Sequence, residues 1–254
     1  MKRFLVMLTF LTRIPIPIKF DVEYKDYVRA VGWMGLIAVI IGLPLYFIDM
    51  LDSFIQPYVL SFVILIVYLL LSGGLHVDGI ADTMDAVGSN RDSKRMLEIL
   101  SDTKMGTFGV LSIIVYCVGM VIILPLVPRW SLLLFPLVGR CCALICAKTH
   151  RYARESGLGK SFVEGVRVWH IFVCILLYLG LYYLLSGDLL LNSILVSLLP
   201  FVLAISIVWL YIHQISKKIG GITGDIIGFS IEVTQLAYLL FVYFTMVITR
   251  EMVI

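Results

Sequence analysis

Three aspartates lie close together in the first third of the chain, at Asp78, Asp82 and Asp85. On a helix, the spacing i, i+4, i+7 puts all three carboxylates on one face within about two turns. Carboxylates this close repel one another, and a divalent cation between them would relieve the repulsion. Hard oxygen ligands suit Mg²⁺ or Mn²⁺, which proteins hold by a few carboxylates together with substrate phosphates. The spacing therefore predicts a metal site, and a solvated acidic face is the alternative.

The residues around the aspartates suggest further contacts. His76 precedes them and points away from them on the same ideal helix. It could be a ligand from the preceding turn, a substrate contact or an interfacial side chain. Downstream, residues 92–101 have the pattern of a short amphipathic helix on the membrane surface. Lys104 then stands among glycines and hydroxyls where another helix begins, which makes this segment a candidate phosphate cradle.

A second acidic group precedes the last apolar stretch. Thr223 and Asp225 follow paired glycines, and Glu232 lies seven residues after Asp225, on the same helical face. The helical rise of 1.5 Å per residue puts Glu232 about 10 Å deeper. An ionisable group within a membrane span is costly and marks a functional site by default. Arg140, inside another apolar stretch, needs a partner: Glu232, an aspartate of the first group, or a substrate phosphate.

The loop over residues 151–160 adds further cations, Arg154 among them. They are either phosphate contacts or ordinary positive charge beside a membrane. Metal-bridged carboxylates next to cations suit a substrate that carries phosphate. The cation would neutralise a diphosphate and stabilise the leaving group, while a carboxylate positions or deprotonates an attacking hydroxyl.

The composition requires membrane helices to carry these residues. Of 254 residues, 61% are hydrophobic and 15% charged, against about 45–50% and about 25% in soluble domains. Seven apolar stretches approach or exceed the roughly 20 residues of a spanning helix. We predict an all-α, polytopic integral membrane protein of about seven transmembrane helices, with short interfacial helices on the inner side. No linker divides the chain, so residues 1–254 form a single transmembrane catalytic domain. The predicted spans are 28–48, 58–75, 107–127, 131–150, 169–185, 190–213 and 226–249.

The basic residues predict the orientation. Seventeen of the 20 Lys and Arg fall in the terminal segment and connectors on the N-terminal side, whereas Arg129 and Arg250 fall on the other side. Positive connectors face the cytoplasm. We therefore expect a multi-pass protein of the cell (inner) membrane, with its N-terminus inside and its active site facing the cytoplasm. No basic block with interleaved aromatics indicates a nucleic-acid site. The five cysteines lack metal-ligand spacing and are interpreted as small hydrophobic residues within helices.

Together, these segments resemble the adenosylcobinamide-GDP ribazoletransferase family, also called cobalamin synthase. The resemblance runs from near residue 4 to near residue 235, in the expected order. It departs from the family pattern at Lys104, where Arg is expected, at Phe229, where a small residue is expected, and at Gln235, where an acid is expected. The last departure puts a ligand role at position 235 in doubt. The matching segments are 10–15, 73–85, 102–109, 152–159 with Arg140, and 220–228 with Glu232.

The resemblance implies a reaction. In an Mg²⁺-dependent step, α-ribazole or α-ribazole 5′-phosphate would attack adenosylcobinamide-GDP, releasing GMP and forming adenosylcobalamin or its 5′-phosphate. Asp78, Asp82 and Asp85 would bind the metal, and Asp82, Asp85 and Asp225 would be catalytic, with Asp85 or Asp225 near the attacking hydroxyl. The lipid bilayer is the expected environment, and homo-oligomers and partner enzymes of corrinoid assembly stay open. The expected substrate-binding residues are His76, Lys104, Arg140, Arg154, Thr223 and Glu232.

Two other functions compete with this interpretation. A CDP-alcohol phosphotransferase also uses membrane-embedded aspartates and a divalent metal, but its pattern places Ala-Arg soon after Asp-Gly. Here Asp82-Thr83 follows instead. A transporter could use Glu232 and Arg140 as gating charges. Mid-membrane acids in several helices would favour that class, whereas these acids concentrate near one interface.

Overall fold

The protein is built from α-helices. The computed structural model describes residues 1–16, 21–102, 104–186 and 191–251. In these ranges there is no β-strand, only an isolated bridge between Tyr152 and Ile222, which confirms the all-α class. Single 3₁₀ turns occupy Val31–Trp33, Asp49–Leu51 and Leu124–Leu126. The helices are α1 Lys2–Leu11, α2 Tyr24–Ala30, α3 Met34–Ile48, α4 Pro57–Ser72, α5 Leu75–Gly88, α6 Ser93–Ile99, α7 Thr107–Ile123, α8 Trp130–Thr149, α9 Leu158–Gly165, α10 Val168–Ser186, α11 Leu191–Ile219 and α12 Gly224–Glu251.

Six helical stretches of the described chain are long and apolar enough to cross a membrane, and a seventh results if α4 and α5 count as one bent span. The prediction of a multi-pass membrane protein is confirmed, and so is the short helix after the aspartates, now α6. The six stretches are Tyr24–Leu51, Thr107–Leu126, Trp130–Thr149, Val168–Ser186, Ser197–Ile219 and Gly224–Thr249.

Several predicted span boundaries differ from the structure by a few residues. The span predicted over 58–75 ends at Ser72, and the chain turns by 93° before α5 begins. Gly73 and Gly74 adopt φ of +67° and +65°, a left-handed conformation that ends helices and favours glycine. The span predicted over 190–213 instead continues as α11 to Ile219. Residue 190, where that prediction began, lies outside the described residues.

Helix α8 is the centre of the bundle. Every residue from 131 to 144 is buried, and the helix packs against α3, α10, α11 and α12. Glycines permit these close contacts: a Cβ at Gly42 of α3 would collide with the Leu133 carbonyl, and one at Gly139 would meet the Ile231 carbonyl of α12. By contrast, α7 and α10 keep large apolar side chains on the surface, such as Val115 at 67% and Leu184 at 74% exposure. Lipid would cover those faces.

The basic connectors gather at one end of the bundle, here called the basic end. There Arg154 donates a 2.9 Å hydrogen bond to the Leu100 carbonyl, and the Arg13 amide donates to the Leu71 carbonyl. At the opposite end, Arg129 pairs with Asp49 and Asp52 at 3.1 and 2.7 Å. The five cysteines are unpaired and lie within α7, α8 and α10, as predicted.

Candidate active site

The three aspartates of the first acidic group share one side of α5. Asp78 is exposed and Asp82 and Asp85 are half-buried, whereas His76 and Thr83 are buried. The helix thus presents an acidic face to the basic end and an apolar face to the bundle, as the spacing predicts. His76 points away from the aspartates, which also agrees with its position on the helix.

Helix α12 holds α5 at very short range. Gly79 packs against the main chain of α12, where an added Cβ would collide with the Asp225 carbonyl oxygen. Gly228 makes the reciprocal approach, since a Cβ there would lie 3.2 Å from the His76 Cα. These glycines let the two helices cross almost in backbone contact. As a result, the first turn of α12 lies beside the acidic face.

Asp225 joins the acidic group through this crossing. The nearby charges of Asp78 and Asp225 repel the charge of Asp82, and Arg154 attracts it. The Thr223 hydroxyl donates a 3.1 Å hydrogen bond to Asp225 Oδ2, and an Arg154 nitrogen lies 3.5 Å from the same oxygen. Two helices and one loop therefore bring carboxylates and a guanidinium together at the basic end.

The loop before α9 pairs with the backbone segment that directly precedes α12. Tyr152 and Ile222 form the isolated parallel bridge, with the Ile222 amide donating to the Arg151 carbonyl at 2.9 Å. Gly221 has φ of +156°, and a Cβ there would collide with that carbonyl. Burial raises the pKa of the Tyr152 phenol, so it stays neutral at physiological pH. This backbone pairing positions the loop so that Arg154 lies beside Asp225.

Asp85 has partners that the sequence did not predict. The Gly106 amide donates to its Oδ2 at 2.6 Å, and the Gly109 amide donates to its Oδ1 at 2.8 Å. The start of α7, the predicted phosphate cradle, therefore binds a carboxylate of the chain itself. Lys104 lies just before it, with a side chain that has no partner in the described part of the chain. Because both oxygens of Asp85 are engaged, Asp85 is less available to a metal than Asp78 or Asp82.

Three predicted substrate-binding residues lie instead in a buried polar cluster. The cluster consists of Glu232, His76 and Arg140 with two tyrosines, Tyr68 and Tyr116. Tyr68 donates to Glu232 Oε1 at 2.7 Å, Tyr116 donates to Oε2, and His76 Nδ1 lies 3.7 Å from Oε1. Glu232 and Arg140 are both 0% exposed. The aspartates point to the other side of α5, so the predicted residues form two groups rather than one.

An ion pair was one of the two roles expected for Arg140, and the structure does not show it among the described residues. Among the described residues, no carboxylate oxygen lies within 4.0 Å of its guanidinium, which donates to a carbonyl of its own helix at 3.0 Å. Its Nε and second Nη have no partner there. The tyrosine hydroxyls already satisfy Glu232, so the carboxylate does not need the arginine. Tyr68 and Tyr116 were missed because a tyrosine in an apolar run has no spacing that distinguishes it from a packing residue.

The acidic face offers a magnesium ion two carboxylates and leaves its other coordination positions open. In the described ranges, no three His, Cys, Asp or Glu side chains already converge as a ligand set. Mg²⁺ in phosphoryl-transfer sites typically takes only one or two carboxylates, with water and substrate phosphate oxygens completing the shell. Asp78 and Asp82, one turn apart on an open face, are such a pair. The donor chemistry thus fits an ion that arrives with a phosphorylated substrate.

Comparisons with known proteins point in one direction. Residues 3–243 match the sequence profile of the family described as cobalamin-5-phosphate synthase. Relatives named adenosylcobinamide-GDP ribazoletransferase include one from Alkaliphilus oremlandii, 35% identical over 243 residues, which are 96% of this chain and 97% of that protein. One from Clostridium acetobutylicum is 36% identical over 248 residues, 95% and 96% of the two chains. One from Acetivibrio thermocellus is 35% identical over 252 residues, 96% and 98% of the two chains. No solved structure matches the chain.

Proposed function

The chain belongs to the cobalamin-5-phosphate synthase family and is an enzyme of cobalamin synthesis, and from this premise we propose that it joins α-ribazole or its 5′-phosphate to adenosylcobinamide-GDP with Mg²⁺. A hydroxyl oxygen of the α-ribazole forms a bond to the phosphorus that stays with the corrinoid. The bond from that phosphorus to the GMP oxygen breaks, and GMP leaves. The hydroxyl proton passes to a carboxylate. The product is adenosylcobalamin or its 5′-phosphate.

The observation that carries this proposal is the meeting of Asp78 and Asp82 with Asp225 and Arg154 at the basic end. Transfer of a phosphoryl group requires charge neutralisation around the phosphorus and correct placement of the attacking oxygen. Carboxylates for a metal, a further carboxylate and a guanidinium are the groups that such a transfer uses. They lie on elements held by glycine contacts and hydrogen bonds, which supports a preorganised site.

Asp78 and Asp82 would hold the magnesium ion, which supplies charge neutralisation for the diphosphate and the departing phosphate. Asp85 acts differently, because its hydrogen bonds to the Gly106 and Gly109 amides align the start of α7 with α5. Lys104, just before α7, is placed to contact a substrate phosphate. This assignment changes the predicted role of Asp85 from metal ligand and catalytic carboxylate to positioning residue.

Asp225 is the proposed base. Its Oδ2 accepts from Thr223 and faces Arg154, which fixes the carboxylate and leaves Oδ1 for the acceptor hydroxyl. Arg154 would contact the transferred phosphate, since its second role, the bond to the Leu100 carbonyl, uses one nitrogen only. His76, Arg140 and Glu232 are buried behind α5. We assign them the positioning of α5 rather than direct substrate contact.

The proposed location is the cell membrane, with the basic end in the cytoplasm. Its support is the positive charge of the connectors at that end, where the acidic face also lies. Adenosylcobinamide-GDP and α-ribazole 5′-phosphate are charged and α-ribazole is polar, so the substrates reach this end from the aqueous side without crossing the bilayer.

The test is GMP release by the purified protein in liposomes, with adenosylcobinamide-GDP and α-ribazole 5′-phosphate as substrates. We expect release to require acceptor and Mg²⁺, and to stop with EDTA. Asp82→Asn should lower the rate by a factor on the order of 10²–10³, because it removes charge that acts in the transition state. Glu98→Gln is the matched control, since Glu98 is an exposed carboxylate whose partner in the described part of the chain is Arg95 of the same helix.

Two results would count against the proposal. An Asp82→Asn protein with a normal rate and normal Mg²⁺ dependence would show that the metal does not bind at the acidic face. A folded wild-type protein that releases no GMP would contradict the proposed substrates, and the next assay would use CDP-linked donors.

A further inference from the structure

A pocket lies at the N-terminal end of the acidic face. It has a volume of about 220 Å³ and is bounded by α1, α2, the end of α4 and the start of α5. Phe10, Arg13, Tyr27, Ser72 and Leu75 are among its lining residues, and no carboxylate lines it. None of these residues belongs to the site described above.

One lining residue of the pocket, Leu75, lies on the same helix as the acidic face. Leu75 is exposed and precedes Asp78 and Asp82 by three and seven residues, so all three lie on one side of α5. The three-residue step from Leu75 to Asp78 is about 4.5 Å along the helix axis. The space beside Gly74, the residue before Leu75, is open, since nothing lies within 4 Å of the place where its Cβ would be. A ligand in the pocket would therefore extend towards the proposed metal site.

Arg13 gives the pocket a free positive charge. Its amide donates to the Leu71 carbonyl at 2.8 Å, which fixes the residue, and its side chain lies over Gly73, where a Cβ would be 2.5 Å from Nε. Its guanidinium has no hydrogen bond or ion pair within the described ranges. A planar guanidinium without a carboxylate partner matches a phosphate group.

The apolar part of the pocket suits a flat ring. Phe10 and Tyr27 pack edge to face, with ring centroids 5.6 Å apart and planes at 71°. Leu75, 44% exposed, supplies further apolar surface. Aromatic side chains in this arrangement leave ring faces and edges that bind a planar aromatic group well.

On the basis of the proposed function, we propose that this pocket is the acceptor site and that Arg13 binds the 5′-phosphate of α-ribazole 5′-phosphate. The aromatic base packs against Phe10 and Tyr27. The ribose then lies along α5, with its attacking hydroxyl directed to the metal site. The description of the family already implies a phosphorylated acceptor, and Arg13 is the residue that recognises its phosphate.

The test compares the dissociation constants of α-ribazole and α-ribazole 5′-phosphate, measured by calorimetry on the full-length protein in phosphatidylcholine nanodiscs without donor. Wild type should bind the phosphorylated acceptor at least tenfold more tightly, because a charge-assisted contact is lost with the phosphate. Arg13→Gln should bring the ratio close to one while leaving the α-ribazole affinity unchanged. Arg3→Gln, on α1 and equally without a side-chain partner among the described residues, should keep the wild-type ratio. In the release assay, Arg13→Gln should raise KM for the phosphorylated acceptor only.

A wild-type ratio in Arg13→Gln overturns the proposal. If that result comes with loss of co-purifying phospholipid, Arg13 binds a lipid phosphate instead. Normal GMP release with an unchanged ratio rejects the acceptor site and leaves the proposed function standing. A protein that releases no GMP and binds neither acceptor contradicts both.

Discussion

Glu232 is completely buried, yet each of its carboxylate oxygens accepts a hydrogen bond, from Tyr68 and from Tyr116. A buried carboxylate without partners costs far more than one that is bonded. The tyrosines lie on α4 and α7 and His76 lies on α5, so this single side chain links three helices to α12. The buried cluster therefore holds α5 in place on the side opposite to its aspartates.

We expect Tyr116→Phe to lower the free energy of unfolding by about 1–3 kcal/mol, because it leaves one buried carboxylate oxygen without a donor. The measurement is thermal or denaturant unfolding in detergent, with Tyr58→Phe on exposed α4 surface as control. In a double-mutant cycle with Glu232→Gln, the two effects should be coupled by more than about 0.5 kcal/mol. Strictly additive effects would show that the hydrogen bond contributes nothing.

The sequence predicted the acidic face better than it predicted the buried cluster. Asp78, Asp82 and Asp85 share a side because helical periodicity alone decides it. The partner of Glu232 depends instead on which helices are neighbours in space, and that information is not local. Charge alone made Arg140 one candidate partner, whereas Glu232 accepts hydrogen bonds from two neutral hydroxyls.

The crossing of α5 and α12 sets the geometry of the site at the scale of elements. Gly79 and Gly228 allow near backbone contact, and Asp225 stands at the start of the helix that makes it. A wider crossing would move Asp225 away from Asp82. The site therefore depends on the absence of a side chain at position 79 as much as on the carboxylates.

Gly79→Ala should lower GMP release at least tenfold and also destabilise the protein, because its Cβ would collide with the Asp225 carbonyl oxygen. Gly180→Ala is the matched control: Gly180 lies within α10 with open space around it. There alanine should be neutral or stabilising by up to about 1 kcal/mol from helix propensity. Equal effects at the two positions would show that the crossing tolerates a methyl group.

The break between α4 and α5 was not predicted, for a reason that lies in hydropathy. The apolar run continues through Gly73 and Gly74 into Leu75, so a window average sees one span. Glycine pairs are tolerated inside membrane helices, and only the left-handed conformation of both residues produces the turn. The number and type of the other long helices follow from apolar length, which needs no tertiary information.

The whole molecule is polarised along the bundle axis. The acidic face, Arg154 and the Arg13 pocket lie at the basic end, and the opposite end has Arg129 in its pairs with Asp49 and Asp52. The bundle between them is apolar outside and closely packed around α8 inside. Among the described residues, the groups that the proposed reaction uses lie at the basic end, and the side of the membrane that this end faces decides where the substrates must be available.

Cysteine accessibility tests this polarity. The native cysteines lie within apolar helices, so background labelling should be low. In right-side-out vesicles, an impermeant maleimide should label Phe54→Cys, at the opposite end, directly. Arg91→Cys, which follows α5 at the basic end, should be labelled only after the membrane is permeabilised. The reverse labelling pattern would place the basic end outside the cell.

The 93° turn after α4 also affects the surrounding lipid. With 16 residues, α4 is about 24 Å long at 1.5 Å per residue, short of the hydrocarbon thickness of about 30 Å. Leu70, Phe62 and Val59 are exposed along it, so lipid chains must match this shorter height. The bilayer would therefore be thinned beside α4, and the acidic helix at its end would lie in a depression below the surrounding headgroups. Membranes with shorter acyl chains would fit that depression with less strain.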